Sequence, residues 1–436
     1  MGSNALRHAP WTVPALVVAA FLAMLPVAMK SVLYAAPIAA VVVLVILVGW
    51  LGLERTSAVV MALAFALAPA DTLNVSFLGV SDILFFLAMG LALPRLLGTP
   101  LTLPAAFVLA SLVFMVIGLL SSVAADNAAV YYYTSRVIFT FVVLPVMVVW
   151  WAPRGKVLVW LLVAYAVGNG ISVVYGIPST GISRNFGLSQ HPNALGYTSM
   201  LTLALVPFLY VALSRKWRNW ICGAAVAGAG VGILTSGSRA ALVVAVGLIL
   251  LVPAVERSIP LALTVAIAGV SAIGVLGQRP APTQGQDALS RLLGAGPVEG
   301  SDQARLEGVA KVWQTALDHP WLGTGFNLTE FNGHNVYVQV AAAVGFIGLA
   351  ALIVILISMV TPLFATSNIH SRLVYPAIAV IAAAPVSPNL TDRYFGLLLG
   401  IALVGGNIVR AERQAEAKDG VEPLPLRRLN RQNSSS

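Results

Sequence analysis

The sequence predicts an all-α, polytopic integral membrane protein with roughly twelve to fourteen transmembrane helices and one long outward loop that contains a helix. Three observations predict it. The 436 residues are 59% hydrophobic and only 9% charged, and mean hydropathy is +0.90. Apolar runs long enough to span a bilayer as helices follow one another with short polar breaks. The ionisable residues gather instead in one stretch, Gln278 to His334. The alternating pattern of a membrane barrel is missing.

In chain order the runs are 10–29, 32–53, 57–70, 81–97, 103–124, 136–152, 156–177, 193–213, 219–235, 239–254, 260–277, 335–364, 373–389 and 394–409. The first lacks a small-residue cleavage site and is followed at once by a second, so it reads as a retained helix rather than a signal peptide. The run 57–70 is short. Frequent glycine and alanine within the runs suit close helix packing. The expected organisation is one membrane domain over 1–409, with the loop 278–334 inserted, and a basic tail over 410–436 that lacks the composition to fold. The single cysteine, Cys222, precludes an intrachain disulfide.

The net charge of +9 is placed by topology. With the basic tail inside, counting spans backward assigns 16 of the 25 Lys and Arg to inside loops and 5 to outside ones, apart from the long loop. That asymmetry obeys the positive-inside rule and points away from nucleic acid as a partner. It sends the loop 278–334 outward, together with the loops holding Arg184 and Arg239.

Within the long loop, Gly300-Ser301-Asp302 offers capping groups and 302–318 is rich in helix formers. Leu306, Val309, Trp313 and Leu317 share one face at helical spacing, expected to rest on the membrane or on the helix ends. His319-Pro320 ends the helix.

Four places on the outer side carry candidate chemistry. At Ser236-Gly237-Ser238-Arg239 a helix begins near Ser238, so free N–H groups and a fixed guanidinium stand together, as a phosphate requires. The bland alternative is a serine cap beside an arginine that snorkels to headgroups. The loop from Ser183 through Arg184 to His191-Pro192-Asn193 reads either as a capped turn or as a wall of the site with Arg184 near an anion. His334-Asn335 opens an apolar helix, whose positive end keeps an imidazole neutral and able to accept a hydroxyl proton. The rival reading is a histidine that caps its own helix. Arg305 in isolation reads as a solvated charge. No Asp-x-Asp or His-Glu-x-x-His pattern occurs, so neither a metal nor another cofactor is expected.

These segments together resemble a family. S-R-N-F-G-L-S-Q-H-P-N-A-L-G, S-G-S-R-A-A, R-L-E-G-V-A-K-V-W-Q-T-A-L-D-H-P-W-L-G-T-G and H-N-V-Y-V-Q occur in the order seen in the O-antigen ligase and polymerase superfamily. The ligase pattern H-N-x9-G-x-x-G runs from His334 and Asn335 to Gly345 and Gly348, with Leu349 where a threonine is common. The likeness covers roughly 180–350.

The resemblance implies a GT-C-like, metal-independent membrane glycosyltransferase of the bacterial inner membrane, with its site facing the periplasm. The donor it implies is a glycan on undecaprenyl pyrophosphate, and the acceptor a sugar hydroxyl of lipid A-core. By motif, Arg239 and Arg305 are given to the pyrophosphate and His334 to the acceptor hydroxyl as base. Arg184, His191, Asn193, Ser238 and Asn335 complete the expected substrate site. A repeat polymerase and a protein O-oligosaccharyltransferase share these motifs. A transporter of polysaccharide or lipid is the rival from another class, but the span centres hold almost none of the ionisable groups that transporters place at the midplane.

Overall fold

The computed structural model describes residues 43–70, 72, 74–75, 78–179, 184–264, 266–267, 288–292, 299–327, 334–365, 368–387 and 392–418. The expected run 10–29, half of 32–53 (32–42), most of 260–277, parts of the long loop and the tail beyond Lys418 lie outside them.

The chain divides into two compact units. The first holds the described residues up to Ala64 and Asn74–Thr99. In it, residues 43–51 are helical, and helix α1 (Leu53–Leu67) begins and runs to the unit boundary. A two-residue antiparallel ladder, β1 (Asn74–Val75) with β2 (Leu78–Gly79), leads into α2 (Val80–Leu96). The Ser57 hydroxyl donates to the Ala88 carbonyl at 2.7 Å and ties α1 to α2.

The second unit holds Phe65–Leu73 and everything from Pro100. Its helices are α3 (Ala105–Ala125), α4 (Ala128–Trp151), α5 (Gly155–Gly176), α6 (Pro192–Ala212), α7 (Arg215–Ser236) and α8 (Arg239–Val255). The short α9 (Ala288–Leu292) and α10 (Glu299–Asp318) belong to the long loop. Then come α11 (Val336–Ala365), α12 (Ile369–Val386) and α13 (Arg393–Lys418). Among the described residues, eight helices are long and apolar enough to cross a membrane, and α8 is a shorter apolar helix. The protein is thus an all-helical polytopic membrane protein.

Hydropathy locates these spans but trims them. The run read as 136–152 is α4, which begins at Ala128, because Tyr131–Tyr133 and Arg136 depress hydropathy without stopping the helix. The run read as 219–235 begins at Arg215, so the basic group Arg215, Lys216 and Arg218 forms the first turn of α7. Likewise the charged segment after residue 409 continues α13 to Lys418 rather than opening an unfolded tail.

Small residues let the spans approach. On α13, a Cβ on Gly396 would lie 2.5 Å from the Thr140 carbonyl of α4, and one on Gly400 would lie 2.6 Å from Val148. At the end of the bundle where α8 finishes, Arg372 makes a two-pronged contact with Glu256, its Nε donating to Oε1 at 2.8 Å. The Tyr375 hydroxyl donates to the same Oε1 at 3.2 Å.

The helix α11 is broken. Val344 (φ −129°) and Gly345 (φ 68°, ψ −179°) leave helical geometry. A Cβ at Gly345 would stand 2.4 Å from the Trp321 carbonyl carbon, so only glycine fits this conformation and this contact. The carbonyls exposed by the break are capped by the strap 320–325, as buried backbone requires. Thr324 N–H donates to Ala342 O at 2.9 Å and Gly325 N–H to Ala343 O at 2.8 Å, while Phe346 N–H donates to Pro320 O at 2.8 Å. The Ser121 hydroxyl of α3 adds a bond to Ala343 O at 2.6 Å. The motif H-P-W-L-G-T-G is therefore the partner of the glycine that breaks α11.

Candidate active site

The helix ends near α6, α7, α8 and α11 bring distant segments together, and the local sequence explains each. Pro192 occupies the first turn of α6 and His191 is its N-cap, with Nδ1 accepting from the Asn193 N–H at 3.1 Å. An Nδ1 that accepts leaves the proton of neutral imidazole on Nε2. Gly237 ends α7 in the left-handed conformation (φ 65°), and Ser238 caps α8 by accepting from the Ala241 N–H at 3.4 Å. Arg239 is thus the first residue of α8, as the helix-start reading expected. A Cβ on Gly196 would lie 2.7 Å from Ser238 Cβ, so a glycine on α6 makes room for this turn.

Two guanidiniums grip adjacent carbonyls of that turn. Arg184 Nε donates to Ser236 O at 2.7 Å, and its Nη2 donates to Asn193 Oδ1 at 2.7 Å. Arg291, on α9 of the long loop, donates from Nη1 to Gly237 O at 2.6 Å. These carbonyls close the negative end of α7, where cations are favoured. Asn193 and His191 are accordingly the supports of Arg184 and of the start of α6.

The cations also act on one another. Burial, then the charges of Arg291, Arg305 and Arg239, pull the Arg184 pKa down from 12.5 to about 10. Four arginines from three chain segments therefore share one electrostatic field. His191 is lowered from its ordinary value by burial, then by Arg184, His334 and Arg305. His334 is lowered by burial first and by Arg305 second. Each of these six residues is part-exposed at the site rather than enclosed or fully open, except His191, which is exposed.

His334 adopts a left-handed conformation (φ 46°), a strain of the kind found at functional positions. It does not cap its helix. That role falls to Asn335, whose Oδ1 accepts from the Val338 N–H at 3.2 Å. Gln339, one turn on, is buried at 1% exposure.

Arg184, Arg239, Arg305, His191, Asn193 and His334 thus lie in bonding or electrostatic range of another member, whereas Ser238 and Asn335 adjoin Arg239 and His334 as helix caps. Arg291, one of the ionisable residues of the stretch 278–334, joins them in the structure. No local signal marks it: Ser-Arg pairs also stand at 135–136, 214–215 and 371–372. On α10 the face packed inward is Val312 and Ala316, with Arg305 part-covered; of the four residues expected to rest on the membrane or on the helix ends, Val309 is part-covered and Leu306, Trp313 and Leu317 are exposed. Among the described residues no three His, Cys, Asp or Glu side chains stand together in a way that could hold a metal ion.

Fold and cluster define a class: a multi-pass helical membrane protein with a cationic, histidine-bearing site at the helix ends. Residues 223–353 match the family model for O-antigen ligase. That match supports, over this region, the resemblance to the O-antigen ligase superfamily. The matched segment contains Ser238, Arg239, Arg291, Arg305, His334, Asn335 and the helix break at Gly345. Arg184, His191 and Asn193 precede it and reach the site through the contacts above. No curated protein matches the chain.

Proposed function

We propose that the protein is an O-antigen ligase-like glycosyltransferase. It moves a glycan from undecaprenyl pyrophosphate to a sugar hydroxyl of lipid A-core, at the periplasmic face of a bacterial inner membrane. The observation that carries this reading is the gathering of Arg184, Arg239, Arg291 and Arg305 in one field beside a histidine held below its ordinary pKa. A pyrophosphate leaving group has the charge and the oxygen geometry that several guanidiniums match.

The chemistry follows from charge development. The acceptor oxygen forms a bond to the anomeric carbon as that carbon's bond to the phosphate oxygen breaks. The carbon gains oxocarbenium character and the departing pyrophosphate gains negative charge. Arginines fixed in advance stabilise that charge without reorganising, so the leaving oxygen needs no proton. The hydroxyl proton passes to neutral His334. One displacement with one base inverts the anomeric centre.

The test is transfer by purified protein in liposomes, from a lipid-pyrophosphate glycan to lipid A-core. Full transfer by His334→Ala would remove the base assignment. Transfer unaffected by Arg239→Ala and Arg305→Ala would remove the pyrophosphate site. Deletion in the native host separates ligase from polymerase. Unmodified core with accumulated lipid-linked polymer is the outcome for a ligase. Core bearing a single repeat indicates a polymerase.

A further inference from the structure

The helix α10 has three sides rather than two. With 3.6 residues per turn, successive side chains step by about 100°. Val309, Val312 and Ala316 lie on the side of Arg305, and Val312 and Ala316 are fully buried. Leu306, Ala310, Trp313 and Leu317 occupy the adjoining arc, about 60° wide. Leu306 is 72% exposed, Trp313 42% and Leu317 48%. Gln303, Glu307, Lys311, Gln314 and Asp318, all exposed, fill the remaining polar arc. A solvated loop helix has no reason to keep an uncovered apolar stripe between a packed side and a charged side. A helix lying in a bilayer interface does.

The stripe is continuous with the lipid-facing flank of a span. Trp313 meets Phe346 edge-on, with ring centroids 5.8 Å apart. Phe346 lies on α11 immediately beyond its break, and its neighbour Ile347 is 40% exposed on the same span. Past the end of α10, the strap adds Trp321 at 69% exposure and Leu322 at 40%. The uncovered apolar area is on the order of 600 Å², short of the roughly 800 Å² per partner of a standard protein interface. The indole rings at its ends suit the headgroup level of a membrane.

We propose that α10 and the strap are seated in the bilayer, their stripe among the acyl chains of the leaflet on the side of the arginine cluster. Arg305 then lies about 100° around the helix from Leu306, turned sideways into the cluster instead of outward to water. The membrane sets the roll of the helix that carries this arginine. The inference rests on the spans and on the faces of α10, not on the proposed reaction.

The experiment uses the full chain in liposomes of phosphatidylethanolamine and phosphatidylglycerol. In a C222A background, L306C and L317C place nitroxide labels on the stripe, and K311C and Q314C place them on the polar arc. Collision rates with oxygen and with a water-soluble nickel chelate are then compared. The expected result is oxygen exceeding nickel at 306 and 317, with the order reversed at 311 and 314. Nickel exceeding oxygen at 306 and 317 overturns the seat, because the stripe then faces water. Exclusion of both reagents there also overturns it, in favour of a protein cover such as a second copy of the chain.

Discussion

Replacing Arg184 with alanine separates the holding of the site from the binding of an anion. In the folded protein this guanidinium makes two bonds of 2.7 Å, to Ser236 O and Asn193 Oδ1. At a half-open site such charge-assisted bonds contribute about 1.5 kcal/mol each, so about 3 kcal/mol is lost. Against this stand the burial of its charge, first, and the repulsion of Arg291, Arg305 and Arg239. A pKa drawn from 12.5 to about 10 corresponds to about 3 kcal/mol, of which solvent screening leaves roughly half. The net destabilisation is about 1–2 kcal/mol, and the variant folds.

Its response to inorganic pyrophosphate is the sharper reading. A ligand at a hundred times its Kd stabilises the wild type by about 2.7 kcal/mol. Losing one of four cations weakens binding by about tenfold, or about 1.4 kcal/mol. Thermal unfolding of both proteins in nanodiscs, with and without pyrophosphate, measures the difference. Equal stabilisation of the two would refute the claim that Arg184 belongs to the anion site. A variant that fails to fold would refute the balance of bonds against burial and repulsion.

Other outcomes follow from the same geometry. His334 sits below its ordinary pKa, so in the proposed reaction its neutral form persists below pH ~6.5. The acid limb of kcat lies below that value, and Arg305→Gln, by removing a cation, moves the midpoint upward in a pH–rate profile. Gly345→Ala places a Cβ 2.4 Å from the Trp321 carbonyl carbon in a glycine-only conformation. Strain and the loss of strap bonds together cost about 3–5 kcal/mol, seen as earlier unfolding and faster proteolysis within 319–327. Glu256→Gln breaks the part-buried contact with Arg372 and Tyr375. It lowers unfolding stability by about 1–3 kcal/mol, less than a fully buried pair, and leaves transfer per folded molecule unchanged.

The parts of the molecule legible in the sequence are those fixed by local physics. Hydropathy finds the spans because lipid forces backbone bonds inside each helix. Helix starts are readable where the signal adjoins the helix, as the cap Ser238 and the first-turn Pro192 do. The break in α11 is not readable in this way. Its apolar run is continuous, and its glycine resembles many packing glycines until the strap 320–325 is placed against it. Arg291 escapes for a similar reason, since its partner carbonyl is 54 residues earlier in the chain. The exposed stripe of α10 was visible as a helical period, but its spacing alone did not say which arc packs. That depends on Val312 and Ala316, which meet the bundle only in three dimensions.

The neutrality of His334 shows the same division within one residue. The sequence assigns it to the positive end of a helix. In the structure Asn335 takes the capping position, and the lowering of His334 comes from burial first and from Arg305 second. One cation then serves both ends of the proposed displacement. Before reaction, burial and then Arg305 favour the unprotonated His334, ready to accept. As pyrophosphate departs, its growing negative charge offsets that cation, and protonation of His334 becomes easier at the moment the hydroxyl releases its proton. Base and leaving group are coupled through a shared arginine, so the two steps are favoured together. This is why the roll of α10, which aims Arg305, bears on acid–base chemistry as well as on binding.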